Sequence, residues 1–253
     1  MKNTEKKFNI DVVISVAEKD IKTLDMCITG VKNNLWHNNQ NIYIISKPFS
    51  ELLNICNNQN CIFIDENEYL GFDKSNLVNV REDRQGWLFQ QLIKLKGNPG
   101  QCENYFAIDS DIILVKPQKF INDEGDPIFA VYPNHIMHNY NHTNFNLTGI
   151  ENKRNVCFVD DKMMFNINII HEIHQKLKEH TDLNWIDAII SKYDNDANYG
   201  FSEFELYALI FGDRPHDEVK KYNVLLKYNS NYTYEQLRKH YCFYDCISMH
   251  HYL

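Results

Sequence analysis

The feature that most constrains this chain is the stretch at 105–117, YFAIDSDIILVKP, in which two aspartates one residue apart interrupt an apolar run. A short run rich in Ile, Val and Phe and closed by proline reads as a buried strand. Side chains at i and i+2 of a strand share a face, so Asp109 and Asp111 should converge while Ser110 turns away from that point. Two buried carboxylates that close do not ionise together easily. A divalent cation removes the conflict. Hard oxygen donors suit Mn²⁺ or Mg²⁺, which keep positions for water and phosphate oxygens. The stretch therefore predicts a metal site on Asp109 and Asp111 that holds a diphosphate. The competing reading is a hairpin turn, since Asp and Ser are turn residues. Against it, no Gly or Asn supplies the positive φ that tight hairpins prefer.

At 253 residues with a hydrophobic share of 43%, the chain can bury a large core. Its formal net charge of −8 argues against a general nucleic-acid binder and, if the ligand is a nucleotide, calls for a local cation. The 7 cysteines are scattered without CxxC spacing, which argues against a structural zinc site or disulfide framework and suits a reducing compartment. The first apolar run, 12–17, is too short and too closely flanked by charge for a signal peptide or membrane span. The expectation is a cytoplasmic protein, or one of the host cytoplasm or viral factory if the source is a virus. The sequons at Asn141, Asn146 and Asn231 then carry no meaning. Abundant Asn, Ile, Lys and Tyr match an AT-rich genome. Homodimer formation is left open.

Periodicity gives the architecture. A strand over 10–17, a helix over 21–35, a strand over 42–46, a short helix over 50–57 and a strand over 61–65 predict a mostly parallel, Rossmann-like α/β sheet flanked by helices. Asp20 is a candidate cap or ligand at the end of the first strand. A helix over 81–95 sets Trp87, Gln91 and Lys94 on one face, suited to a base, ribose or phosphate, with Leu88, Leu92 and Leu95 beside it. The breaker at 97–100 ends it. The polar, aromatic stretch 135–155 reads as a long loop and candidate acceptor lid; its histidines, His135, His138 and His142, are expected on the surface or at substrate. Asp160 and Asp161 interrupt a second apolar stretch and read as substrate binders or helix-entry acids. Ser202 is a candidate N-cap with Glu205 as its box partner, and Glu203 a carboxylate available to a hydroxyl. The stretch 241–253 alternates toward a strand. Adjacent strand residues point opposite ways, so at most one of His250 and His251 can meet the metal.

Together these stretches resemble the GT-A glycosyltransferases over most of the chain, in a bacterial and viral subset. The carriers are Asp109-Ser110-Asp111, the helix with Arg84, Gly86-Trp87, Gln90-Gln91 and Lys94, the stretch 158–165, and Phe201-Ser202-Glu203-Phe204-Glu205. The resemblance implies a single GT-A domain, 1–253, with a nucleotide-sugar half at 8–117 and an acceptor half at 118–253. It implies Mn²⁺ (or Mg²⁺) held mainly by Asp111, with Asp109 near ribose and metal, and His250 completing the shell. Val16, Ala17, Glu18, Lys19 and Ser110 join Arg84, Trp87, Gln91 and Lys94 as donor contacts. Glu203, Asp160 and Asp161 are the catalytic candidates, although Asp160-Asp161 stands where relatives carry His or Ser. The implied reaction moves a hexose (glucose, galactose or N-acetylglucosamine) from a UDP-sugar to a carbohydrate or glycoprotein acceptor, with a glycosylated collagen-like protein suggested by the AT-rich composition together with the resemblance, and with retention favoured by the late His. The rival classes are a metal-dependent nucleotidyltransferase or phosphohydrolase, for which no Gly-rich phosphate loop is evident, and a non-catalytic nucleotide-sugar-binding domain.

Overall fold

The structure, a computed structural model, describes residues 6–197, 200–228 and 231–250; the side chain of His250 lies outside the description. The first apolar run forms β1 (Asn9–Ser15), buried from its second residue on. Val13 faces one core while Val12 and Ile14 face another, so both sides of the strand are covered and its sequence is continuously apolar. In α1 (Ile21–Asn34), Leu24, Cys27, Ile28 and Val31 turn inward at helical spacing. Gly30 on this helix meets a later strand: an added Cβ would lie 2.9 Å from the Leu114 backbone N and O. The alternation continues through β2 (Asn38–Ser46), α2 (Ser50–Asn58), β3 (Ile62–Asp65), α3 (Glu66–Leu70), α4 (Glu82–Lys96) and β4 (Asn104–Asp109). Asp11 pins the breaker between the last two, accepting from Asn98 Nδ2 at 2.8 Å and the Cys102 N–H at 3.1 Å.

The rest of the chain forms β5 (Ile112–Leu114), β6 (Ile128–Pro133), α5 (His138–Thr148), β7 (Val156–Cys157), β8 (Lys162–Asn166), α6 (Ile167–Thr181), α7 (Trp185–Lys192), α8 (Glu203–Phe211), β9 (Asp217–Lys220), β10 (Asn223–Lys227), α9 (Tyr234–His240) and β11 (Cys246–His250). The central sheet has the order β3-β2-β1-β4-β8, parallel except for β8. Two smaller sheets, β10-β11-β5 and β7-β6-β9, lie beside it. Helices α4, α6 and α8 cover the sheet face that carries Tyr105, Ala107 and Phe165. Helices α1 and α2 cover the opposite face, with Ile14, Phe106 and Ile108. This is the expected α/β domain with a mostly parallel sheet between helices.

Three expectations are corrected. The stretch 105–117 is not one strand: β4 ends at Asp109, Ser110 and Asp111 turn, and the chain enters a different sheet as β5. Nor is it a hairpin, because β4 and β5 do not pair. The stretch 135–155 is not a long loop. It holds α5, whose Tyr140, Thr143, Asn144, Leu147 and Thr148 are buried, with Thr143 Oγ1 donating to the Gly200 carbonyl at 2.8 Å. Its inner face is half polar, which hid the helical period. Finally, the late strand begins only at Cys246, after α9.

Candidate active site

Ser15 and Asp109 are register partners at the carboxyl ends of β1 and β4, where the strand order reverses. Open α/β sheets bind ligands outside the strand ends at such a point. A cavity of about 340 Å³ opens there. Its walls include Ser15 at the end of β1 with Lys19 and Asp20 beyond it; Trp87, Gln90, Gln91 and Lys94 on α4; and Asp109, Ser110 and Asp111 at the turn. Tyr140, Asp160, Asp161, Ser202 and Glu203 close it from the other half of the chain.

Strand parity explains the central contact. Asp109 follows Tyr105 and Ala107 on the face that α4 and α8 cover. It therefore meets Lys94 of α4, whose Nζ lies 2.6 Å from Asp109 Oδ1 and 2.8 Å from Glu203 Oε1. The same ammonium lies 4.8 Å from the centroid of the Phe204 ring. Lys94 is only 4% exposed. Burial alone would lower its pKa, but the Asp109 and Glu203 carboxylates outweigh burial and hold it above the usual lysine value. Burial, opposed by Lys94 and reinforced by Asp111 and Asp161, pushes the Asp109 carboxyl up to about 7. The turn itself is held at both sides: the Asp109 N–H donates to the Asp161 carbonyl and the Met249 N–H to the Asp111 carbonyl, each at 2.9 Å.

The adjacent acids Asp160 and Asp161 have different surroundings. Asp160 has a side-chain exposure of 1% and is held by Lys162 at 3.0 Å and Lys221 at 2.7 Å, and it also accepts the Asp161 N–H at 2.8 Å. Burial would raise its pKa, yet the two lysines hold it below the ordinary carboxylate range. Asp160 lines the cavity, but its oxygens are engaged by two buried cations. Asp161, 31% exposed at its side chain, accepts from Ser248 Oγ at 3.0 Å and lies 3.3 Å from Lys221 Nζ. Glu203 is also less free than expected, since one carboxylate oxygen is bound to Lys94. Ser202 caps α8 as expected, through the Glu205 N–H. Glu205 does not return the bond as a box partner; its Oε1 accepts the Phe158 N–H at 2.8 Å, and burial raises its pKa.

Of the other expected donor contacts, Lys19, Trp87, Gln91, Lys94, Asp109 and Ser110 line the cavity, Ser110 included although strand alternation turned it away. Val16, Ala17 and Glu18 line an adjoining hollow of about 270 Å³ that shares Gln90 with the cavity. Arg84 lines neither; its Nε lies 3.7 Å from Asp83. Asp20 lines the cavity and makes no side-chain cap bond to α1. Ser15, Tyr140, Lys221 and Ser248 were not anticipated. Ser15 was findable as the last residue of a strand beside the switch point; the others depend on long-range packing.

Among the described residues, no three His, Cys, Asp or Glu side chains already converge as a metal cluster. The Asp109 and Asp111 carboxylates fit a hard divalent cation by chemistry, both being oxygen donors on one cavity wall. The expected third donor, His250, has its backbone at the end of β11, but its side chain lies outside the described residues, as does all of His251. All 7 cysteines are free. No helix among the described residues is long and apolar enough to cross a membrane.

This architecture is the GT-A fold of glycosyltransferases. An active-site mutant of LgtC is similar at 13% identity over 85% of this chain and 75% of that one, with a TM-score of 0.50. The galactosyltransferase LgtC with donor and acceptor sugar analogs gives a TM-score of 0.47 at 13% identity over 85% and 76%. Mouse xyloside xylosyltransferase 1 in its apo form gives 0.47 at 12% identity over 95% and 97%. Residues 15–242 match the model of a family of unknown function (DUF6492), and the chain belongs to that family. No curated protein matches the sequence.

Proposed function

We propose that the protein is a glycosyltransferase that moves a hexose from a UDP-sugar to an acceptor hydroxyl on a carbohydrate or glycoprotein, using Mn²⁺ or Mg²⁺. One observation carries the reading: Asp109 and Asp111 line one cavity at the β1–β4 mouth, which shares Gln90 with the hollow lined by Val16, Ala17 and Glu18. The hollow suits a base, and the acid-lined cavity suits a metal-bound diphosphate and its sugar. Asp111 and Asp109 would hold the metal, which when bound stabilises the negative charge on the leaving nucleoside diphosphate.

The remaining roles fall to side chains of this chain. Lys94 places a fixed positive charge beside Asp109 and Glu203 and keeps both carboxylates in position. Asp161 is the cavity acid best suited to face the sugar or the acceptor hydroxyl, because Asp160 is occupied by Lys162 and Lys221. The retaining outcome and a collagen-like acceptor belong to the same proposal; the first rests on the resemblance, the second on the resemblance and composition.

The test is calorimetry of UDP binding, with and without Mn²⁺, on wild type and Asp111→Ala. The expected result is binding that requires Mn²⁺ and disappears in Asp111→Ala. Binding indifferent to both would overturn the proposal.

A further inference from the structure

The side-chain amide of Gln91 is held in one orientation. Gln91 lies on α4 three residues before Lys94, lines the cavity and is 3% exposed. Its Oε1 accepts the Glu203 N–H at 3.2 Å. Only the amide oxygen can accept from an N–H, so this bond fixes which end of the amide is which. The opposite end, Nε2, is buried and has no hydrogen-bond partner. Ser15 Oγ, on a residue 2% exposed, is a second buried atom without a partner on the wall of the same cavity. Buried donors left unpaired are costly and few in native proteins, so two at one cavity mark ligand contacts.

The neighbours of Nε2 restrict what that ligand group is. Nε2 only donates. The Glu203 and Asp109 carboxylates line the same cavity, held by Lys94. An ammonium group cannot accept from an amide N–H. A carboxylate or phosphate that no metal neutralises would be repelled by the acids. A hydroxyl satisfies both sides, accepting from Nε2 and donating to a carboxylate. We propose that Gln91 reads one free hydroxyl of the transferred sugar and is a specificity-determining residue for the donor. This rests on the glycosyl-transfer reading and narrows it: the donor is a neutral sugar with an unsubstituted hydroxyl at the position facing Gln91. Deoxy and uronic variants at that position are refused, because they leave a polar group unpaired or add a like charge.

The experiment uses the full chain with Mn²⁺, UDP-glucose and UDP-galactose, and the monodeoxy analogues of each. It measures kcat/KM for donor hydrolysis and, separately, UDP binding by calorimetry. Wild type should disfavour one deoxy analogue by about tenfold or more, since hydrogen cannot accept from Nε2 and leaves it unpaired. In Gln91→Met that penalty should shrink to about twofold, through loss on the parent donor, with UDP affinity retained. Gln91→Glu keeps an oxygen for the Glu203 N–H and should lose the same discrimination, which covers the case in which Gln91→Met fails to fold. An undiminished penalty in the variants, with UDP still bound, would overturn the role of Gln91 and leave the transferase reading intact. An equal loss on the parent and every analogue would also overturn it. Wild type that binds no UDP would overturn both.

Discussion

Lys94 Nζ lies 2.6 Å from Asp109 Oδ1, with the lysine buried and the carboxylate turned toward the cavity. The pair joins α4 to the end of β4, and the second contact of Lys94, to Glu203, brings in α8. Removing one partner of a buried pair leaves the others uncompensated, at a cost of about 3–5 kcal/mol. Lys94→Met should therefore lower the urea midpoint markedly at pH 7. An unchanged midpoint would mean that the contact does not hold these three elements together.

The contrast between Asp160 and Asp161 predicts opposite phenotypes. Asp160→Asn leaves Lys162 and Lys221 facing a neutral amide in a buried site, so it should destabilise by roughly 3 kcal/mol. Asp161→Asn touches a partly exposed carboxylate. It should fold with near wild-type stability and lose about tenfold or more in sugar transfer. Denaturation and donor turnover measured on both variants decide the matter; a stable, inactive Asp160→Asn would reverse the assignment.

Stability should also fall in mild acid through His37. Its Nε2 accepts two backbone N–H groups, from Phe120 and Ile121, each at 3.2 Å. Burial, then Lys119 and Lys7, lower its pKa from 6.5 to about 4. A folded-state pKa below the unfolded one means that the stabilisation is complete above pH 6.5 and drains away as pH falls toward 4. Between pH 7 and pH 5 the loss is about 2 kcal/mol. The measurement is the urea midpoint against pH for wild type and His37→Gln. The variant, with no imidazole to charge, should show the shallower slope over that window; parallel curves would count against His37.

The fold was legible where physical period and sequence pattern coincide. β1 and β4 are buried on both faces, so their apolar runs stand out, and α1 and α6 carry clean inward stripes. Trp87, Gln91 and Lys94 could be placed on one helical face from their i, i+4 and i+7 spacing, and all three line the cavity. α5 was missed because Thr143, Asn144 and Thr148 replace the apolar residues that would have revealed its period. The different environments of Asp160 and Asp161 were invisible as well. They depend on Lys221, which is about 60 positions away in sequence and is brought in only by the fold. The Asp109–Asp111 pairing was read for an incomplete reason: the two acids share a cavity because the chain changes sheet between them, not because one strand displays both.

That change of sheet has a consequence for synthesis. The Asp111 carbonyl is bound by the Met249 N–H, and β5 pairs with β11. On a ribosome, both aspartates emerge well over a hundred residues before the strand that backs their turn. A nascent or prematurely ended chain lacking 246–250 would carry every cavity acid named here except the support of the turn itself. The site is therefore among the last parts of this molecule to become rigid, and activity would report on whether translation reached that strand.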